Sequence, residues 1–145
     1  MPPDPALTVH ELATELTRAA DTILDARQGI SFARYRTLRA LRQDGAATQH
    51  ELAVRLGIGD AAVSRTLPGL IEDGWCVVDP DPDHGRRRRV QLTGAGASVE
   101  RDCSAELATA FHGAASDAGV DVEPFLAAAA ALTRQIRTSL DRSPR

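Results

Sequence analysis

Three features of the sequence predict a mainly α-helical chain that carries one small β-hairpin. Apolar residues recur at three- and four-residue steps through most of its length, glycines and capping residues divide that pattern into six segments, and one stretch after Gly74 alternates instead. The 145 residues suffice for one domain, or for a small module with an oligomerisation element built from its own ends. Hydrophobic residues make up 43% and are rich in Ala, with only three Phe, one Tyr and one Trp, so the core must be Leu, Ala and Val packed helix against helix.

The first helix is expected over about Leu7 to Ala26, where Leu12, Leu16, Ala19 and Ile23 share one face, and Gly29 ends it. Ser31 caps a second helix whose face is Phe32, Tyr35, Leu38 and Leu41, and which stops at Asp44-Gly45. Thr48, with Glu51 three residues on, forms a capping box for a short helix that buries Leu52, Ala53 and Leu56 before Gly57. A fourth helix starts near Gly59-Asp60, buries Ala62, Val63, Leu67, Leu70 and Ile71, and ends at Gly74. Pro68 is expected to interrupt it, because an interior proline loses a backbone hydrogen bond and crowds the preceding turn.

Trp75 to Asp79 and Arg88 to Thr93 are expected as strands around a turn from Pro80 to Gly85. Thr93 then caps a long helix with Val99, Cys103, Leu107, Ala110 and Ala114 on one face, ended by Gly119. A last helix carries Phe125, Ala129, Leu132, Ile136 and Leu140.

The net charge of -3 excludes a protein that coats nucleic acid generally, but charge is segregated along the chain. Arg27, Arg34, Arg36, Arg39 and Arg42 follow an acidic start with no acid among them, Arg86 to Arg89 form a second basic block, and acids return after Asp102. Every one of the 17 basic residues is Arg. Cys76 and Cys103 have no metal-knuckle or C-x-x-C spacing and read as structural thiols, and His10, His50, His84 and His112 show no ligand spacing, so neither a metal nor a cofactor is expected. No phosphate-binding glycine loop, H-E-x-x-H or G-x-S-x-G is present, so the chain is not expected to be an enzyme. With neither a secretory signal nor a membrane-length apolar run, a cytoplasmic protein is expected.

Function is carried by QHELAVRLGIGDAAVSRTLP, residues 49 to 68. Two short helices crossing steeply need a small residue where they approach (Ala53), a left-handed residue in the turn (Gly57) and an apolar lock on the second helix (Val63). This is a helix-turn-helix. Its second helix would present Gly59, Asp60, Ala61, Ser64 and Arg65 to a DNA major groove, with Thr48 and Gln49 at the start of the first. The hairpin that follows, tipped by Asp83-His84-Gly85-Arg86, is a wing whose His84, Arg86, Arg87 and Arg88 can meet phosphates or the narrow minor groove.

The segment ELAVRLGIGDAAVSRTLPGLIEDGW, followed by the wing and by VQLTGAG, resembles the MarR family of bacterial regulators. The resemblance implies a winged helix-turn-helix domain over residues 29–93 and a helical dimerisation region from residues 1–28 and 94–145. It implies a transcriptional regulator, a repressor, that binds a pseudo-palindromic duplex DNA operator as a homodimer and is released by a small-molecule effector or an oxidant. Ser64 and Arg65 match the family's recognition-helix pair and Arg86 its wing arginine. In relatives the ligand pocket lies between the dimerisation helices and the winged domain, which points to Phe32, Tyr35, Phe111 and His112. Two departures stand out: His84 occupies a place where family wings carry an acid, so that a neutral imidazole accepting from Arg86 would have to replace it, and Pro68-Gly69 stands where helix formers are usual. The long apolar faces on residues 7–26, 94–118 and 122–140 exceed what one small winged domain can cover, which independently predicts pairing across a two-fold axis. The alternative is a winged helix used as a protein-protein adaptor without specific DNA binding.

Overall fold

A computed structural model describes residues 1–142. It contains six helices and one hairpin in the order α1 (Pro5–Gln28), α2 (Phe32–Asp44), α3 (Gln49–Leu56), α4 (Asp60–Glu72), β1 (Cys76–Asp81), β2 (His84–Leu92), α5 (Gly94–Asp117) and α6 (Val122–Asp141). The chain divides into two compact units, Met1–Leu107 and the residues from Ala108 onward. Among the described residues no helix is long and apolar enough to cross a membrane.

Local chemistry accounts for the element ends. Asp4 caps α1 by accepting from the Ala6 and Leu7 amides, and Gly29 closes the helix in the left-handed region. At α2, Ser31 accepts from Arg34 N and the Asp21 carboxylate of α1 takes the Phe32 amide at 2.7 Å, so two orphan donors of one helix end are satisfied from two elements. The capping box on α3 is present as expected.

The core of the first unit gathers Leu24, Ile30, Leu38, Leu41, Leu52, Ala53, Val63, Leu67, Leu70, Cys76, Val90 and Cys103. The apolar stripes expected on α1 and α6 are largely exposed, and the expected buried face of α4 is narrower than the sequence suggested. In α1 the buried residues are Ala20 and Leu24, while Leu12 and Leu16 are 43% and 41% exposed, so the periodic stripe and the face that meets this core differ. In α4, Ala62 is half-buried and Ile71 exposed. On α6, Leu132, Ile136 and Leu140 are all more than half exposed, and the helix contributes no buried residue. Within that second unit Phe111 and Phe125 lie with ring centroids 6.2 Å apart.

Two junctions hold the hairpin to the helices. Ala47, in the loop before α3, pairs with Val90 through two backbone hydrogen bonds and adds a one-residue third strand that periodicity did not reveal. Where the hairpin meets α5, the Trp75 carbonyl accepts from Thr93 N and lies so close to Gly96 that a Cβ there would sit 2.1 Å from its oxygen. Only glycine fits at that crossing.

The arginines of α2 each find a partner within the first unit. Arg34 pairs with Asp73 and places its guanidinium 4.8 Å over the Trp75 ring. Arg36 donates to the Leu56 carbonyl at the end of α3 (2.8 Å). Arg39 and Arg42 converge on Glu100 of α5, whose side chain is 1% exposed, at 3.0 Å each. Only the Arg39 contact is an in-line hydrogen bond; Arg42 Nε lies beside Oε2 out of line and its Nη1 donates to the Ala97 carbonyl. A buried carboxylate needs such partners, and Glu100 finds them 61 and 58 residues away in sequence.

Candidate nucleic-acid interface

The helix-turn-helix is built on the turn at Gly57, which takes φ 66°, ψ 34° and donates its amide to the carbonyl of Val54, while Ile58 N reaches Ala53 O at 3.1 Å. Val63, Leu67 and Leu70 of α4 are buried, and this fixes which side faces out: Gly59, Asp60, Ala61, Ser64, Arg65 and Pro68 are all exposed. α4 runs through Pro68 without ending there, contrary to the interruption expected. Pro68 lies on the solvent side, where the carbonyl it leaves without an amide partner can be hydrated.

The two helices are joined by polar contacts on that outer side. Gln49 Nε2 donates to Ser64 Oγ at 2.9 Å and to the Asp60 carbonyl at 3.3 Å. His50 Nδ1 lies 3.1 and 3.3 Å from the two carboxylate oxygens of Asp60. Thr48, at the N-cap of α3, is half-buried and occupied by its capping box; the hydrogen bond from its backbone amide holds the Glu51 carboxyl below the ordinary carboxylate range. Sequence reasoning placed Gln49, Asp60 and Ser64 at this face but passed over His50, whose partner ten residues on becomes visible only once the turn brings the helices together.

The wing departs from its expected outline. β2 begins at His84, not Arg88, and the tip is Pro82-Asp83. Asp81, 5% exposed, folds its carboxylate back to accept the Asp83 amide at 3.0 Å. Pairing then jumps from Asp81↔His84 to Pro80↔Arg88, which leaves Gly85, Arg86 and Arg87 opposite no residue. Pro80 has no amide to give the ladder, which is the physical reason for a bulge beside it. Arg65, Arg86 and Arg87 are exposed and, among the described residues, have no ion pair or hydrogen bond. Among the described residues no hydrogen bond joins His84 to Arg86. Arg88 reaches the Val78 carbonyl only at 3.4 Å, and Arg89, half-buried, donates to Ala46 O and stands 4.0 Å from Glu51.

The remaining candidates belong to different units. Phe32 and Tyr35 stack at 5.9 Å and pack against the core of the first unit. Phe111 and His112 belong to the second unit, their rings 6.4 Å apart. Cys76 and Cys103 are free and buried, and burial pushes both thiols up to about 11, so the protonated form is favoured at neutral pH.

A family model described as the MarR family matches residues 28–87. Among curated proteins none matches the chain. Among solved structures, the apo form of wild-type MarR from E. coli superposes with TM-score 0.78 at 21% identity, covering 94% of this chain and 98% of that one. The transcriptional regulator BldR from Sulfolobus solfataricus gives TM-score 0.78 at 17% identity over 95% and 93% of the two chains. A mutant MarR from E. coli complexed with operator DNA gives TM-score 0.75 at 22% identity over 90% and 91%. Residues 28–87 are thus a MarR-family segment, and the chain as a whole has the winged-helix fold of the MarR regulators.

Proposed function

We propose that this chain is a sequence-specific DNA-binding repressor that works as a homodimer, inserting α4 into the major groove and laying the bulged wing beside it. The observation that carries the reading is the contrast in occupancy at the surface. Arg65, Arg86 and Arg87 are solvent-accessible cations without partners among the described residues, on the two elements that a winged helix presents to a duplex. Gly59, Asp60, Ala61, Ser64 and Arg65 read base edges or position the helix, with Thr48 and Gln49 behind them; His84, Arg86, Arg87 and Arg88 serve the backbone and minor groove. None of this is chemistry that makes or breaks bonds, and no enzymatic role is assigned.

Residues 1–28 and 94–145 form the dimerisation region in this reading. Leu7, Val9, Leu12 and Leu16 of α1 and Leu126, Leu132, Ile136 and Leu140 of α6 are between 41% and 69% exposed, more apolar surface than a monomer ordinarily leaves in water. One of the solved neighbours is described as a multiple antibiotic resistance repressor, which supports repression as the mode of control. Release by a small ligand rests on the family resemblance, and Phe32, Tyr35, Phe111 and His112 are the residues at which to seek it.

Selection of bound fragments from a random duplex library, followed by light scattering of the free protein, tests the proposal. The expected result is an inverted-repeat consensus and a mass twice that of the 15.4 kDa chain. A monomer at micromolar concentration would remove the palindrome from the account. Binding without sequence preference, or no salt-dependent binding at all, would favour the adaptor reading.

A further inference from the structure

The polar contacts between α3 and α4 do more than tie two helices together. Asp60 is the first residue of α4, where a carboxylate ordinarily serves its own helix end, yet the helix has Gly59 as N-cap and receives no side-chain cap hydrogen bond. The Asp60 carboxylate is instead directed to His50 of the neighbouring helix, with Nδ1 3.1 and 3.3 Å from its two oxygens. A carboxylate can only accept, so the imidazole must present Nδ1–H to it, and one shared donor uses a fraction of the roughly four acceptor sites of the group. The side chains remain well exposed, His50 at 75% and Asp60 at 58%, so acceptor capacity faces outward. One turn along, Gln49 holds Ser64 Oγ at 2.9 Å on the same face.

We infer that Asp60 is a base-discriminating acceptor for the exocyclic amino group of cytosine, and that His50 is the positioning residue that holds it there. The inference rests on the DNA-binding reading above. In the major groove, cytosine offers an N4 amino donor, whereas guanine O6 and N7 and thymine O4 are acceptors that a carboxylate repels. Adenine offers its N6 amino group next to the N7 acceptor, which makes it a second-best partner. Asp60 therefore acts by exclusion as much as by attraction: over the wrong base it would be a desolvated negative charge among phosphates with no donor but His50. Arg65, exposed and without a partner among the described residues, supplies the compensating positive charge on the same helix.

The test is selection of duplexes from a random library by the full-length protein, run in parallel with Asp60→Asn, His50→Ala and His50→Gln. The parent should show a cytosine requirement at one position of each half-site. Asp60→Asn should lose about tenfold preference at that position and shift it toward adenine, whose N6 and N7 pair with a carboxamide, with the other positions unchanged. His50→Ala should weaken the same preference by a smaller factor, about threefold, and His50→Gln, which keeps a donor near Asp60, should restore part of it. Thermal unfolding of each variant within a few degrees of the parent would show that the change is one of reading and not of folding. An identical consensus for parent and Asp60→Asn would overturn the inference while leaving DNA binding intact. A merely structural role would weaken all sequences alike without moving that base. If the parent itself selected no consensus, the DNA-binding reading would fail first.

Discussion

The arginines of α2 and those of the wing look alike in the sequence and are used differently in the fold. Arg34, Arg36, Arg39 and Arg42 each end on a partner within the first unit: Asp73 and the Trp75 ring, the last carbonyl of α3, and the buried Glu100. On the wing, Arg89 ends on Ala46 O beside Glu51, while Arg86 and Arg87, lifted out by the bulge at Pro80/Asp81, end on nothing among the described residues. A run of basic residues is therefore not itself a footprint for nucleic acid. What marks the footprint is the set of guanidiniums left over after the fold has satisfied its own carboxylates and helix ends.

If the α2 set is internal, removing its anchor should be felt in stability. Glu100→Ala removes the anion on which Arg39 and Arg42 converge and should lower unfolding free energy by about 2 kcal/mol, below the usual range for breaking a buried pair because the two arginines are 41% and 36% exposed and water can take them over. Urea titration measures it; a change within about 0.5 kcal/mol would mean that the two arginines are ordinary solvated charges.

The two thiols sharpen the distinction between interior and surface through pH. Burial raises Cys76 to about 11, and burial foremost, with Asp102, Glu100 and Glu106 adding to it, raises Cys103 to about 11 from an ordinary value of 9.0. A folded-state value above the unfolded one contributes stability that is complete below the unfolded value and is lost as pH rises from 9 toward 11. The chain has no lysine, so few other groups change charge in that window. The expected outcome is a falling urea midpoint between those limits that Cys76→Ala and Cys103→Ala each reduce, together with slow reaction of the native protein with a thiol reagent at neutral pH. Fast labelling would show that the thiols are open to oxidants after all.

Arg65→Ala should be the mildest change to the fold, within about 0.5 kcal/mol of the parent, because the side chain has no partner among the described residues. Its effect should appear on DNA, where operator affinity falls by about tenfold. Reduced stability with unchanged binding, measured by urea titration and by fluorescence anisotropy with the selected operator, would move Arg65 into the internal set.

Much of the fold was legible in the sequence because its element ends are local. Ser31, Thr48 with Glu51, Gly29, Gly57 and Gly119 declare where helices start and stop within three or four residues of themselves, and alternation declared the hairpin. What escaped depended on partners distant in the chain. The Ala47–Val90 bridge, the pairing of Arg39 with Glu100 and the His50–Asp60 contact join residues separated by 43, 61 and 10 positions, and no period spans them. The apolar stripe of α1 was legible, but its packing partner was not. Its strongest apolar stripe, with Leu12 and Leu16, is not the one that meets this chain's core, and a periodicity argument identifies an apolar face without naming what it packs against. At the wing, Pro80 signalled a turn, but the ladder resumes at Asp81 and His84, so the proline produced a bulge inside the hairpin and not its end.

The central claim, that the unpaired wing arginines and not the basic residues at large meet the DNA backbone, is tested most directly by the salt dependence of operator binding. For the parent and for the double variant Arg86→Ala, Arg87→Ala, the observed affinity is measured over a series of salt concentrations and plotted on logarithmic axes. The account predicts that the double variant folds as the parent does and that its slope is shallower by about two per protomer, close to one for each phosphate that is no longer neutralised. An unchanged slope, with the parent still binding its operator, would contradict it.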